Sequence, residues 1–113
     1  MKKNRYSLSA GIDKATRARV YKRDGYRCAL CDDSRRIQAH HIVFRSQGGP
    51  DTEMNLITLC PRCHAAAHGT DIDRLGLTPQ YMEQVCTQYI SDLYAEEGII
   101  WSPWSPETHE WKF

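Results

Sequence analysis

The sequence predicts an α+β domain in which two short strands and a helix are stapled by a site of four cysteines, with further helices on either side. Three observations predict it. Two C-x-x-C pairs, Cys28/Cys31 and Cys60/Cys63, supply the four thiolates that a closed tetrahedral zinc site takes. Two β-favouring apolar segments, 37–44 and 56–59, flank a turn-forming stretch, Ser46-Gln47-Gly48-Gly49-Pro50-Asp51. Two later stretches open on a proline where a first helical residue tolerates one, Pro61 and Pro79. At 113 residues a hydrophobic core alone leaves a domain marginally stable, so a metal staple is physically useful here.

In chain order, residues 1–13 are polar and expected to be flexible. Residues 15–24 read as a short helix, with Val20 and Tyr21 inward, Arg17, Arg19, Lys22 and Arg23 mostly outward, and Gly25 ending it. Residues 26–31 form a metal-gripping turn. The strand over 37–44 contains the His40-His41 pair, and 56–59 is the second strand. Helix-favouring residues 62–68 follow Pro61, and Gly69 stops them. Thr78 caps the last helix, where Met82, Val85, Cys86, Tyr89, Ile90 and Leu93 form one apolar stripe running toward Gly98. The tail, with Trp101, Trp104 and Trp111, has no regular pattern. No repeat or second domain is seen: residues 1–113 read as one domain, with 14–69 as the stapled core and 70–113 as a C-terminal helix and tail.

Hydrophobic residues make up 41% and charged residues 26%, a globular rather than disordered composition. The Met-Lys-Lys start is followed by polar residues, and no run reaches transmembrane length, so a reducing cytoplasmic setting and no membrane are expected. There, paired C-x-x-C motifs are more often metal ligands than disulfides. Cys86, on the apolar stripe, reads as core. Net charge is only +1, but residues 1–36 carry a local balance of +7 and residues 70–113 one of −6. A basic third beside a neutral, histidine-rich centre suits a site that handles a polyanion.

Four of the five histidines, His40, His41, His64 and His68, lie within 29 residues. On a strand His40 and His41 point to opposite sides. On a helix His64 and His68 share a face at chelating spacing. The cysteine site would tie strand and helix into one unit, so histidines from both would meet on its surface.

These residues carry a resemblance. Arg23-Asp24-Gly25-Tyr26-Arg27-Cys28-Ala29-Leu30-Cys31, Ala39-His40-His41-Ile42, Gly48-Gly49, Asn55-Leu56 and Leu59-Cys60-Pro61-Arg62-Cys63-His64 resemble an HNH endonuclease over roughly residues 15–69. The resemblance implies a ββα-metal (His-Me finger) core. It implies a metal-dependent nuclease hydrolysing DNA phosphodiester bonds, with His41 as general base and Asn55 accepting a hydrogen bond from the other His41 ring nitrogen. His40 and His64 would hold the catalytic divalent metal, and His68 resembles the extra helix histidine of colicin-type nucleases. Many relatives have Asp where this chain has His40, and nitrogen ligands favour transition metals, so Mg, Mn, Ni, Co and Zn all stay open beside the structural zinc. Arg45 and Arg62 are candidates for phosphate contacts near the cut, and Lys22, Arg23 and Arg27 for contacts further along the backbone. DNA is the expected partner, and phage packaging machinery is a candidate protein partner. Two other classes compete: a non-catalytic zinc module that binds nucleic acid, and a zinc hydrolase built on His64 and His68. The second lacks a glutamate between its histidines, which are separated by Ala65-Ala66-Ala67.

Overall fold

The computed structural model describes residues 11–112, so most of the stretch expected to be flexible lies outside the described residues. Helix α1 spans Lys14–Arg23, and Asp13 caps it by accepting the Thr16 amide at 2.7 Å. Strands β1 (Gln38–His41) and β2 (Leu56–Leu59) pair antiparallel, His40 opposite Ile57 and His41 opposite Leu56. Helix α2 runs Pro61–Ala67 and helix α3 Pro79–Ala95. The strand–loop–strand–helix order read from the sequence is present, and the α+β class is borne out. Among the described residues no helix is long and apolar enough to cross a membrane.

Strand β1 is shorter than the apolar run 37–44 suggests. After His41 the chain leaves the ladder, because Asn55 captures it: the Ile42 amide bonds to the Asn55 carbonyl at 2.9 Å and the Val43 amide to the Asn55 side-chain oxygen at 2.8 Å. The connection then turns through two single 3-10 turns, Arg45–Gln47 and Glu53–Asn55. Gly49 sits at the tightest point. A Cβ there would collide with the Val43 carbonyl and approach the Asn55 amide nitrogen, whereas Gly48, at φ +85°, faces open space. Gly49→Ala is therefore expected to cost about 1–3 kcal/mol by overpacking, and Gly48→Ala about 1–2 kcal/mol from backbone conformation alone. Urea unfolding of both variants checks the order; a Gly49→Ala protein as stable as wild type contradicts the close approach.

Two apolar clusters form the interior. One gathers Cys28, Ile57, Leu59, Cys60, Cys63, Ala66, Ala67, Met82 and Cys86. The other joins Met54, Ile90, Tyr94 and Trp111. The stripe on α3 serves both, as its periodicity predicts, and it extends one position further to the fully buried Tyr94. The tail makes no regular element, yet it is fastened. Trp101 Nε1 donates to the Met54 carbonyl at 2.7 Å, the His109 amide donates to Glu53 Oε2 at 3.1 Å, and the buried Trp111 ring meets Tyr94 edge-on at 5.2 Å. Its physical role is to cover the second cluster and hold the Glu53–Asn55 turn from outside.

Candidate active site

The cysteine pairs converge. Their four sulfur ligand atoms all lie within 4.8 Å of one another, with Cys31 Sγ and Cys60 Sγ 3.6 Å apart. Sulfurs bound at about 2.3 Å to one tetrahedral zinc stand about 3.8 Å apart, so the donor set fits that ion. The first pair is held by backbone bonds. The Cys28 amide donates to the Asp33 carbonyl at 2.8 Å, and the Ala29 amide to the Thr58 carbonyl of β2 at 2.9 Å. In the second pair the Cys63 amide donates to Cys60 Sγ at 3.4 Å as α2 begins. A hydrogen bond from Cys63 pulls the Cys28 thiol down, to about 4. The same bond, together with burial, pushes Cys63 up, and burial first of all raises Cys31. Crowded sulfurs that cannot all ionise together are the situation a divalent cation relieves. Cys86 stands apart as a buried thiol pushed up to about 12 by burial, in keeping with a core role.

The imidazoles converge too. Ligand nitrogens of His40, His64 and His68 lie within 4.8 Å of one another. Ring centroids are 5.1 Å apart for His40–His64, 5.3 Å for His40–His68 and 4.8 Å for His64–His68. His40 is only 4% exposed, and its Nδ1 has no hydrogen-bond partner among the described residues. Burial, followed by the neighbouring His64, His68 and His41, pushes His40 down to about 3, and burial also lowers His64. Neutral imidazoles with a buried, unpaired nitrogen are suited to a cation. Phe44, which the sequence reading did not single out, steadies the exposed member. Its ring stacks on His68 at 4.8 Å and 18° and meets His40 edge-on at 5.8 Å.

His41 points the other way from His40, as strand alternation requires. Its Nε2 lies 2.7 Å from Asp51 Oδ1, and Arg45 Nε donates to the same oxygen at 3.1 Å. The expected Asn55–His41 hydrogen bond is not formed. Fully buried Asn55 spends its side chain on backbone, accepting from the Val43 amide and donating to the Val43 and Pro50 carbonyls at 3.0 and 2.9 Å. A second correction concerns Arg23, expected outward on α1 and along a nucleic-acid backbone. It is 3% exposed and bonds to Asp24, Tyr94 and the Glu53 and Leu56 carbonyls, so it cannot reach a surface ligand.

The other candidate cations are exposed. Lys22 and Arg27 face outward, and Arg45 lies beside His41 through Asp51. Arg62 sits two residues before His64 on α2, hence on the opposite side of that helix, paired with Asp73 at 3.1 Å and Asp33 at 3.7 Å. Asp51 is the main site residue that sequence reasoning missed. The available signal was its rarity: Asp51 and Glu53 are the only acidic residues between 37 and 69.

Fold and site together define a strand–loop–strand–helix domain with one cluster of four cysteines and one of three histidines, each with the donor set of a metal site. A family model described as HNH endonuclease matches residues 27–70, which span both clusters, so the resemblance carried by the motifs is shown. Anaredoxin of Nostoc sp. (strain PCC 7120 / SAG 25.82 / UTEX 2576) is 35% identical over 46 residues, 40% of this chain and 60% of that protein. The type IV methyl-directed restriction enzyme EcoKMcrA of Escherichia coli (strain K12) is 41% identical over 39 residues, 34% of this chain and 14% of that one. Among solved structures, the type IV phosphorothioation-dependent restriction endonuclease ScoMcrA matches with a TM-score of 0.56 at 23% identity, over 78% of this chain and 18% of that one. That likeness is one of fold. In each case this chain spans less than two thirds of the protein it matches.

Proposed function

We propose that this chain is a metal-dependent HNH endonuclease that hydrolyses DNA phosphodiester bonds. The observation that carries the reading is the meeting of His40, His64 and His68 around one point, with His41 on the next strand position turned to the other side. The HNH family match and the restriction-enzyme relatives support it. In this reading His40, His64 and His68 hold one divalent ion, and Cys28, Cys31, Cys60 and Cys63 hold structural zinc. A cation there would neutralise phosphate charge and stabilise the departing oxygen. His41 takes a proton from the attacking water as its oxygen bonds to phosphorus. The bond from phosphorus to the 3′ oxygen then breaks, and that oxygen takes a proton from solvent. Asn55 serves by holding Val43 and Pro50, and with them the loop beside His41. In this reading Arg45 would meet a phosphate near the cut, and the exposed Lys22 and Arg27 would make weaker, salt-sensitive contacts. The whole of residues 1–113 would act as one unit.

Supercoiled plasmid incubated with each divalent metal tests the proposal. Metal-dependent nicking or linearisation is expected, and His41→Ala should slow it by roughly 10²–10⁴-fold while zinc content and circular dichroism stay unchanged. Equal cutting by the variant would remove His41 from its role. No cutting with any metal would favour a non-catalytic zinc module that binds nucleic acid.

A further inference from the structure

Resting on the reading of His41 as general base, we infer that Asp51 is the residue that orients it, and that the proton-accepting nitrogen of His41 is Nδ1. The geometry assigns this directly. Asp51 Oδ1 lies 2.7 Å from His41 Nε2, a strong contact distance for a charge-assisted hydrogen bond. An ionised carboxylate only accepts hydrogen bonds, so Nε2 must carry the proton. In a neutral imidazole the other nitrogen, Nδ1, then keeps its lone pair free for a proton from water.

Asp51 is ten residues from His41 in sequence and is brought to it by the loop. Asn55 Nδ2 grips the carbonyl of Pro50, immediately before Asp51, at 2.9 Å, and the Gly49 amide donates to the Phe44 carbonyl at 3.0 Å. Asn55 therefore acts on His41 at one remove, by placing the residue that touches it. On the far side, Arg45 Nε bonds to the same Asp51 oxygen at 3.1 Å. Burial opposes ionisation of Asp51, but the His41 and Arg45 hydrogen bonds and the Arg45 charge outweigh it and hold the carboxyl below its usual value. The backbone also closes over the pair at Gly11, where any Cβ would collide with Asp51 Oδ2 and the Arg45 guanidinium. The carboxylate is thus fixed from three sides, and its direction toward the ring is a property of the fold.

Asp51→Asn is the informative substitution. Its amide can turn NH2 toward Nε2, which would leave Nε2 as acceptor and place the proton on Nδ1. In the plasmid assay with the zinc-loaded full chain, kcat is expected to fall about 10–100-fold with KM within about threefold of wild type, and Asp51→Glu should recover part of the loss. Two-bond ¹⁵N–¹H correlation of the ring nitrogens should show His41 as the Nε2–H tautomer in the wild type and a shift toward Nδ1–H in Asp51→Asn. An Nδ1–H ring in the wild type, or Asp51→Asn cutting within about threefold of wild type, overturns the inference while the nuclease reading stands. A wild type that cuts nothing overturns the nuclease reading, and the tautomer spectrum still reports separately whether Asp51 sets the ring.

Discussion

Cys63→Ser is expected to leave the domain unfolded rather than weakened. Cys63 is 7% exposed and belongs to the same apolar cluster as Ile57, Leu59, Met82 and Cys86, so its proposed ligand role and its packing role coincide. The cluster also joins two separate parts of the chain: the 28–31 turn, which bonds to β2 through Ala29 and Thr58, and the start of α2. Metal binding by such a site contributes about 10–16 kcal/mol of folding free energy. A domain's whole net stability is about 5–15 kcal/mol, so removing a ligand exceeds what the rest can supply. Circular dichroism and zinc content of the purified variant are the measurements. Chelator treatment of the wild type should produce the same loss of structure, restored by adding zinc. A well-folded, zinc-free Cys63→Ser protein would contradict the staple.

The second large effect is expected at Arg23, where a charge has been taken into the interior. Arg23 and Asp24 are each fully buried at their side chains and 2.9 Å apart. The guanidinium also bonds to the Glu53 carbonyl at 3.0 Å, the Leu56 carbonyl at 2.6 Å and the Tyr94 hydroxyl at 3.1 Å. Asp24 in turn accepts from the Thr58 amide and the Tyr89 hydroxyl, each at 2.9 Å, so α1, β2 and α3 meet at one buried pair. Although burial disfavours its charge, Asp24 and Tyr94 raise the Arg23 pKa, and it stays a cation. Arg23→Met keeps most of the volume but leaves the buried Asp24 carboxylate without its counter-charge and the Glu53 and Leu56 carbonyls without that donor. Breaking such a pair costs about 3–5 kcal/mol, whereas Arg27→Met on the exposed surface should stay within about 0.5 kcal/mol. Urea unfolding of the zinc-loaded proteins compares them. A loss below about 1 kcal/mol at Arg23 would mean that the pair is not what ties these elements together.

What could be read ahead of the structure was local. Both C-x-x-C pairs, the helix starts at Pro61 and Pro79 and the stripe on α3 depend on geometry within one or two turns of chain, where spacing alone decides which side chains share a face. The convergence of His40, His64 and His68 was legible for a related reason: Cys60 and Cys63 open the helix that carries His64 and His68, directly after the strand that pairs with the one carrying His40. The end of β1 was not legible, because residues 42–44 are as apolar as a strand and leave the ladder only when Asn55 arrives from eleven or more residues away.

Three assignments were decided by tertiary structure alone. Arg23 shares a helical face with Thr16 and Val20, but that its charge is buried there and not turned to solvent was decided by partners up to 71 positions distant. Asn55 holds a loop instead of a ring, and Asp51 holds the ring, because a side chain's partners follow from which backbone groups the fold leaves unpaired nearby. Sequence by itself determined which cysteines and histidines could gather, the order of elements and the side of each element that they occupy, since these follow from chain geometry repeated every two or every 3.6 residues. Which polar group each buried or loop residue satisfies was settled only when distant segments came together, since no periodicity records that meeting.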